Sequence, residues 1–158
     1  MSEDQPLQEL SFSVSGIIAK ARTQVYEAVA DPEQLSHYFT TGGAKGRLEV
    51  GSEVTWDFHD FPGVFEVRVI DVEAPNYLVV GWQGANTSSE DGWNTVRFDF
   101  ESLEESTRTK VTITETGWQV DADGAKAAFG NCEGWTGMLA AMKAWLEYGI
   151  NLRDGFYK

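Results

Sequence analysis

Few residues in this chain have both the type and the company that chemistry requires. Glu115 is the leading polar candidate, because it follows Val111 and Ile113 at two-residue spacing and so shares one strand face with them. A carboxylate on an apolar concave face serves as an acid, a base or a polar anchor for a ligand's hydroxyl or amine. The same residue at the rim of a sheet, solvated or paired with Arg or Lys, would do none of this, and the spacing alone leaves both placements open. Cys132 lies in Gly130-Asn131-Cys132-Glu133, with no histidine or basic neighbour to activate it, and reads as a small packed thiol. His37 and His59 stand apart, whereas a metal site needs three or four converging His, Cys or carboxylate ligands. Neither a metal nor another cofactor is expected. No Gly-x-Ser-x-Gly elbow and no phosphate-cradling glycine pattern follows a strand, so nucleotide-dependent chemistry has no support.

What remains is an apolar constellation. Trp56, Phe58, Phe65, Val67, Trp82, Val96, Phe98 and Phe100 fall on one face of alternating segments, and Trp135, Leu139 and Met142 fall on one face of a helical segment. With Glu115 and Trp118 they form the expected lining of a ligand cavity, a site rich in aromatic surface with few polar groups. Taken singly, each is also what an ordinary core needs.

The totals set bounds. Six Trp among 158 residues, with 13% aromatic side chains, require a core or a hollow to house them. A formal charge of -13 repels phosphate backbones and anionic headgroups, so neither nucleic acid nor membrane insertion is expected. No run of about eighteen apolar residues is present to span a bilayer. Cys132 is the single cysteine, so no intrachain disulfide forms, and Met1 to Leu10 lack the basic start and apolar run of a secretory signal. The expected location is cytoplasmic.

The elements that must position these residues follow from periodicity. Residues 1–9 are polar and read as a disordered tail, after which Phe12, Val14 and Ile18 alternate as in a half-buried strand. Thr23 is placed to cap a short helix carrying Val25, Tyr26 and Val29. Asp31-Pro32-Glu33-Gln34 starts a second, with a cap, proline in the first turn and Gln34 at capping-box spacing. From Gly42 the period becomes two. Leu48 and Val50, then Val54 to Phe58, then Phe65 to Val69 predict three strands, with turns at Gly51-Ser52 and at Asp60-Phe61-Pro62-Gly63. Leu78 to Trp82, Val96 to Phe100 and Val111 to Ile113 complete about seven strands. From Asp121 the period returns to helical, through Trp135, Met138, Leu139, Met142, Trp145 and Leu146. Hairpin connections with helices at both ends of the strand run predict an α+β domain over 10–153, with 154–158 as a C-terminal tail.

Gly130, Gly134 and Gly137 interrupt this last helical segment, at a cost of about 1 kcal/mol each relative to alanine. Either they break it into a short helix over 123–129 and a longer one from 133, or they leave a hollow under Trp135. The polar loop from Gly84 to Gly92 is either a mobile lid over one end of that hollow or a long hairpin connection.

The order strand, two short helices, six strands and a long helix carries a resemblance. Val25-Tyr26-Glu27-Ala28, Asp31-Pro32-Glu33-Gln34-Leu35, Gly63-Val64-Phe65-Glu66-Val67 and Glu73-Ala74-Pro75-Asn76-Tyr77-Leu78 with Gly81-Trp82 are its first carriers. Thr95-Val96-Arg97-Phe98, Thr107-Arg108-Thr109-Lys110-Val111, Thr116-Gly117-Trp118 and Gly134-Trp135-Thr136-Gly137-Met138-Leu139 complete it. From Leu10 to Arg153 the chain resembles the SRPBCC or START-like superfamily, and within it the family similar to the C-terminal domain of the activator of heat shock protein 90 ATPase. The resemblance implies a helix-grip fold of the START-like, Bet v 1-like kind: a curved antiparallel sheet wrapped on a long C-terminal helix, with a cavity between. It implies no single activity, since such domains include lipid carriers, receptors, cyclases and chaperone activators. One departure stands out. Where that family often carries histidine two residues before its glycine-aromatic pair, this chain has Glu115 before Gly117-Trp118.

Three functions are therefore compatible with the sequence. The first is a non-catalytic module that binds a small hydrophobic or aromatic ligand between sheet and helix. The second is a co-chaperone-like module regulating heat shock protein 90 ATPase activity; in any of the three the chain is a monomer or a homodimer. The third is a cyclase or aromatase-type enzyme using Glu115.

Overall fold

The computed structural model describes residues 6–158. Of the tail expected over 1–9, residues 1–5 lie outside the described residues, and residues 6–9 are exposed and precede the first strand.

Strand β1 (Leu10–Ile18) leads into helices α1 (Arg22–Ala30) and α2 (Pro32–Tyr38), and then six strands follow. These are β2 (Gly43–Lys45), β3 (Val54–Phe58), β4 (Phe61–Glu73), β5 (Tyr77–Gln83), β6 (Trp93–Leu103) and β7 (Arg108–Trp118). Helix α3 (Ala122–Tyr148) comes last. Every neighbouring pair is antiparallel, in the order β1-β7-β6-β5-β4-β3-β2, so the first strand closes against the last. This is the expected α+β helix-grip architecture. Among the described residues no helix is long and apolar enough to cross a membrane.

Local chemistry explains the starts and stops. Asp31 caps α2, its Oδ1 accepting from Glu33 N at 2.9 Å, with Pro32 at the first helical position, where no amide is needed. For α1 the expected cap is displaced: Ala21 is the N-cap, Gln24 Oε1 accepts its amide, and Thr23 lies inside the helix. Asp121 caps α3 through Gly124 N at 2.7 Å, and Gly149 ends it in the left-handed conformation at φ 67°.

Two strand expectations shift. Leu48 and Val50 are not paired in a strand; the short β2 lies upstream, Leu48 N donates to Ala30 O at 3.1 Å, and Val50 is 64% exposed. An apolar pair two residues apart was satisfied by one buried anchor in a turn-rich link. The β3–β4 turn is tighter than expected. His59-Asp60 forms it, and Phe61 already pairs with Phe58, with the extra residues Pro62-Gly63 absorbed as a bulge where Gly63 takes φ 109°.

The concave face carries Trp56, Phe58, Val67, Leu78, Val80, Val96, Phe98, Phe100, Val111 and Ile113, all buried. Helix α3 seats against β1, β7 and α2. It is continuous through Gly130, Gly134 and Gly137, so the break between 129 and 133 does not occur. Helix–sheet packing outweighs the propensity cost of the three glycines.

Candidate functional site

Three adjacent strands bring a polar cluster to the concave face. Trp82 of β5 is the register partner of Asn94 of β6, and Val96, two residues along β6, is the partner of Glu115 of β7. Alternation therefore points Trp82, Asn94 and Glu115 to the same side. From above, α3 supplies Asn131 and Trp135, four residues apart and hence on one helix face.

These groups close around the carboxylate. Trp135 Nε1 donates to Glu115 Oε1 at 2.7 Å, and Trp82 Nε1 and Asn94 Nδ2 each donate to Oε2 at 3.1 Å. Asn131 Nδ2 stands 3.1 Å from both oxygens. Glu115 is 0% exposed, so it does not sit at the rim, and no Arg or Lys is paired with it among the described residues. The inward parity of β7, roofed by α3, is the reason. A buried carboxylate without a cation needs its lone pairs filled by N–H donors, and two indoles and two amides do so.

Backbone shape protects the cluster. Gly117 adopts φ 122°, and a Cβ there would lie 2.6 Å from Asn94 Oδ1. The loop after β5 is tied down next to it. Ser88 N donates to Gly117 O at 2.6 Å, Gln119 N donates to Asn86 O at 2.8 Å, and Thr87 bridges to Trp118. The segment expected as a mobile lid or long hairpin is thus a connection fastened to the end of β7.

Beside the cluster opens a cavity of about 420 Å³. Phe58, Phe61, Phe65, Trp82, Gln83, Gly84 and Ala85 line it from the sheet side. Gly130, Asn131, Gly134, Trp135 and Met138 line it from α3, Phe39 from the α2–β2 link, and Arg153 and Tyr157 from the chain end. Gly130 and Gly134 leave open space where a Cβ would stand, which is the hollow under Trp135. The walls are stacked and edge-on rings: Phe39 lies 5.5 Å from Trp135 at 29°, and Trp82 lies 5.3 Å from Trp135 at 44°.

Of the expected lining, Phe58, Phe65, Trp82 and Trp135 reach the cavity. Trp56, Val67, Val96, Phe98, Phe100, Leu139 and Met142 do not; they are buried in the packed core behind it. Glu115 also lies behind the wall, holding Trp82 and Trp135 by their ring edges. Trp118 is buried outside the cavity lining and stacks on Phe12 at 5.3 Å. His37 stacks on Trp145 at 4.5 Å, His59 is exposed and Cys132 is half-buried. Asn94, Asn131, Phe39, Phe61, Met138, Arg153 and Tyr157 were not anticipated. Parity marked Asn94, two residues before Val96, and helical spacing marked Asn131, four before Trp135. Nothing local marked the chain end.

That end is not a free tail. Arg153 is buried and pairs bidentately with Asp60 at 2.7 and 2.8 Å. The pair holds the Asp60 carboxyl below its ordinary range, chiefly through the Arg153 hydrogen bonds. Tyr157 covers Gly137, where any Cβ would strike its hydroxyl, and its ring centroid is 6.1 Å from that of Phe61. Burial pushes the Tyr157 phenol above its ordinary value. The segment forms a strap from α3 to the β3–β4 turn along the cavity mouth.

A model of the family described as Activator of Hsp90 ATPase homolog 1-like protein matches residues 20–147. The chain belongs to this family. The matched span begins just after β1 and runs to the last turn of α3, so it holds the cluster and most of the cavity wall; of the cavity lining, only Arg153 and Tyr157 of the strap lie beyond it. Among solved structures, this Activator of Hsp90 ATPase homolog 1-like chain is similar to a Mesorhizobium loti protein at 18% identity and TM-score 0.73, covering 87% of this chain and 97% of that one. It is similar to the Aha1 dimer from Colwellia psychrerythraea at 20% identity and TM-score 0.70, covering 89% and 98%. It is also similar to an HSP90 activator from Plasmodium falciparum at 20% identity and TM-score 0.69, covering 87% and 96%. At these identities the likeness is one of fold. Sequence comparison with curated proteins gives no match.

Proposed function

We propose that this domain is a non-catalytic binding module for a small apolar or aromatic molecule, held between the sheet and α3. The observation that carries the reading is the cavity of about 420 Å³ with aromatic walls and bare helix at Gly130 and Gly134. Small-molecule sites take this form, and a helix that keeps two interior glycines beside a void forgoes about 2 kcal/mol of helix propensity to leave the space open. Glu115 supports the same reading as a positioning residue. Its oxygens are occupied by indole and amide donors, so it orients the walls rather than meeting a substrate as a general base.

Thermal unfolding with a panel of fatty acids, sterols, flavonoids and fused aromatics tests this. A ligand at a hundredfold its Kd stabilises by about 2.7 kcal/mol, which raises the midpoint by roughly 5 to 10 °C for a chain of this size. A flat response across the panel would refute the module.

A chaperone-regulating role is the second reading, supported by the family and by the likeness to the HSP90 activator from Plasmodium falciparum. It expects this protein to change ATP turnover by heat shock protein 90. Unchanged turnover at saturating concentration would remove it.

A further inference from the structure

The cavity wall is not indifferent to ligand polarity, because Glu115 decides which end of the Asn131 amide meets the ligand. An asparagine amide presents either an N–H₂ or a carbonyl to a given neighbour, and its surroundings select the orientation. Here the Asn131 nitrogen stands 3.1 Å from both carboxylate oxygens, where a carbonyl oxygen would meet two acceptors. The nitrogen must therefore face Glu115, and Oδ1, at the other end of the same amide, must turn away from it. Among the described residues nothing donates to that oxygen, and Asn131 lines the cavity between the side-chain-free positions Gly130 and Gly134.

The indole donors of the inner wall are already committed. The indole N–H groups of Trp82 and Trp135 both bind Glu115. The terminal nitrogens of Arg153 are held by Asp60, which neutralises that charge, and the Tyr157 hydroxyl is directed to Glu133 O at 3.4 Å. Gln83 is exposed at the rim and satisfies either polarity. Between the sheet and α3, away from the Arg153 guanidinium at the mouth, the inner wall thus offers aromatic faces and the Asn131 carbonyl as acceptor. An anionic ligand would meet an Arg153 whose charge is already matched by Asp60, in a chain of formal charge -13.

We propose that the cavity selects neutral aromatic molecules bearing a hydrogen-bond donor, such as a phenol or an N–H heterocycle, and that Asn131 Oδ1 receives that donor. The inference rests on the reading of the cavity as a binding site and adds its ligand class.

Calorimetric titration of the full chain with 2-naphthol, 2-methoxynaphthalene and 2-naphthoate separates the two. 2-Naphthol is expected to bind about tenfold more tightly than its methyl ether, the worth of one hydrogen bond to an otherwise unfilled acceptor. 2-Naphthoate is expected to bind most weakly. Equal affinity for the naphthol and its ether would overturn the donor preference and leave the cavity reading standing. Tightest binding of the naphthoate would also overturn it, and would point to Arg153 opening its pair with Asp60. Binding by none of the three would overturn the ligand class, and the thermal panel would then decide whether the cavity reading stands without it. In Asn131→Leu, with its fold checked by circular dichroism, the ratio of naphthol to ether affinity should fall to about one. A ratio kept at the wild-type value there would show that Oδ1 is not the acceptor, and the wild-type comparison decides the ligand class even if this variant fails to fold.

Discussion

Trp135 and Glu115 meet across the space between α3 and β7, the indole Nε1 donating to the carboxylate Oε1 at 2.7 Å. The bond ties the face of the helix that borders the cavity to the sheet beneath it. Because Trp82 and Asn131 converge on the same carboxylate, one side chain fixes the positions of three cavity-lining residues.

Glu115→Gln should therefore be strongly destabilising despite its near-identical shape. It places an N–H₂ group among N–H donors and leaves at least one of them buried without an acceptor. Losing a hydrogen bond to a charged acceptor and stranding a buried donor together cost about 3 kcal/mol. Chemical denaturation should register this as a lower midpoint, and the emission of Trp82 and Trp135 should change in the folded protein. A variant with wild-type stability would show that the cluster contributes nothing net.

Gly130→Ala and Gly134→Ala should each stabilise the protein by about 1 kcal/mol, since both sites are interior to α3 and a Cβ meets no atom. Thermal melts should show gains of roughly 2 to 4 °C apiece. Gly134→Phe should go further and fill the hollow, abolishing measurable 2-naphthol binding while the protein stays folded. Retained binding would place the ligand elsewhere.

Asp60→Asn removes one partner of the buried pair with Arg153 and should cost about 3 kcal/mol. The pH dependence has a definite sign. The folded-state value of Asp60 is lowered by Arg153, so its stabilisation is complete above the unfolded-chain value of about 3.9 and is lost as pH falls through the lower folded value. The stability difference between wild type and Asp60→Asn should be largest above about pH 5 and shrink under acid. A difference independent of pH would contradict the ion-pair account.

Gly137→Ala should lift the strap, because the new Cβ would occupy the position of the Tyr157 hydroxyl. Amide hydrogen exchange over residues 151–158 should accelerate while the β-sheet amides keep their protection. Unchanged exchange in that segment would mean Tyr157 does not depend on the notch.

Much of this molecule was written in short-range pattern. Alternation over Val54–Phe58, Leu78–Trp82, Val96–Phe100 and Val111–Ile113 described real strands and their inward faces, and Asp31-Pro32 described a real helix start. Where the pattern was weak it misled: Leu48 and Val50 lie outside any strand, because two apolar residues are too short a run to separate a strand from a turn with one buried anchor. The inward direction of Glu115 was visible from parity.

By itself the sequence determined which side chains face the core of an antiparallel sheet closed by one long helix, since periodicities of 2 and 3.6 assign a face to every residue. Tertiary structure alone decided which of those inward residues border empty space. That depends on where α3 lies across the sheet: it seats directly on β1 and β7, while beside β3 to β5 the bare helix at Gly130 and Gly134 leaves a hollow. It also decided that Glu115 is surrounded by Asn94, Asn131, Trp82 and Trp135, and that Arg153 reaches Asp60, 93 residues away in the chain. Such contacts are set by the approach of distant segments, and no local propensity encodes that distance.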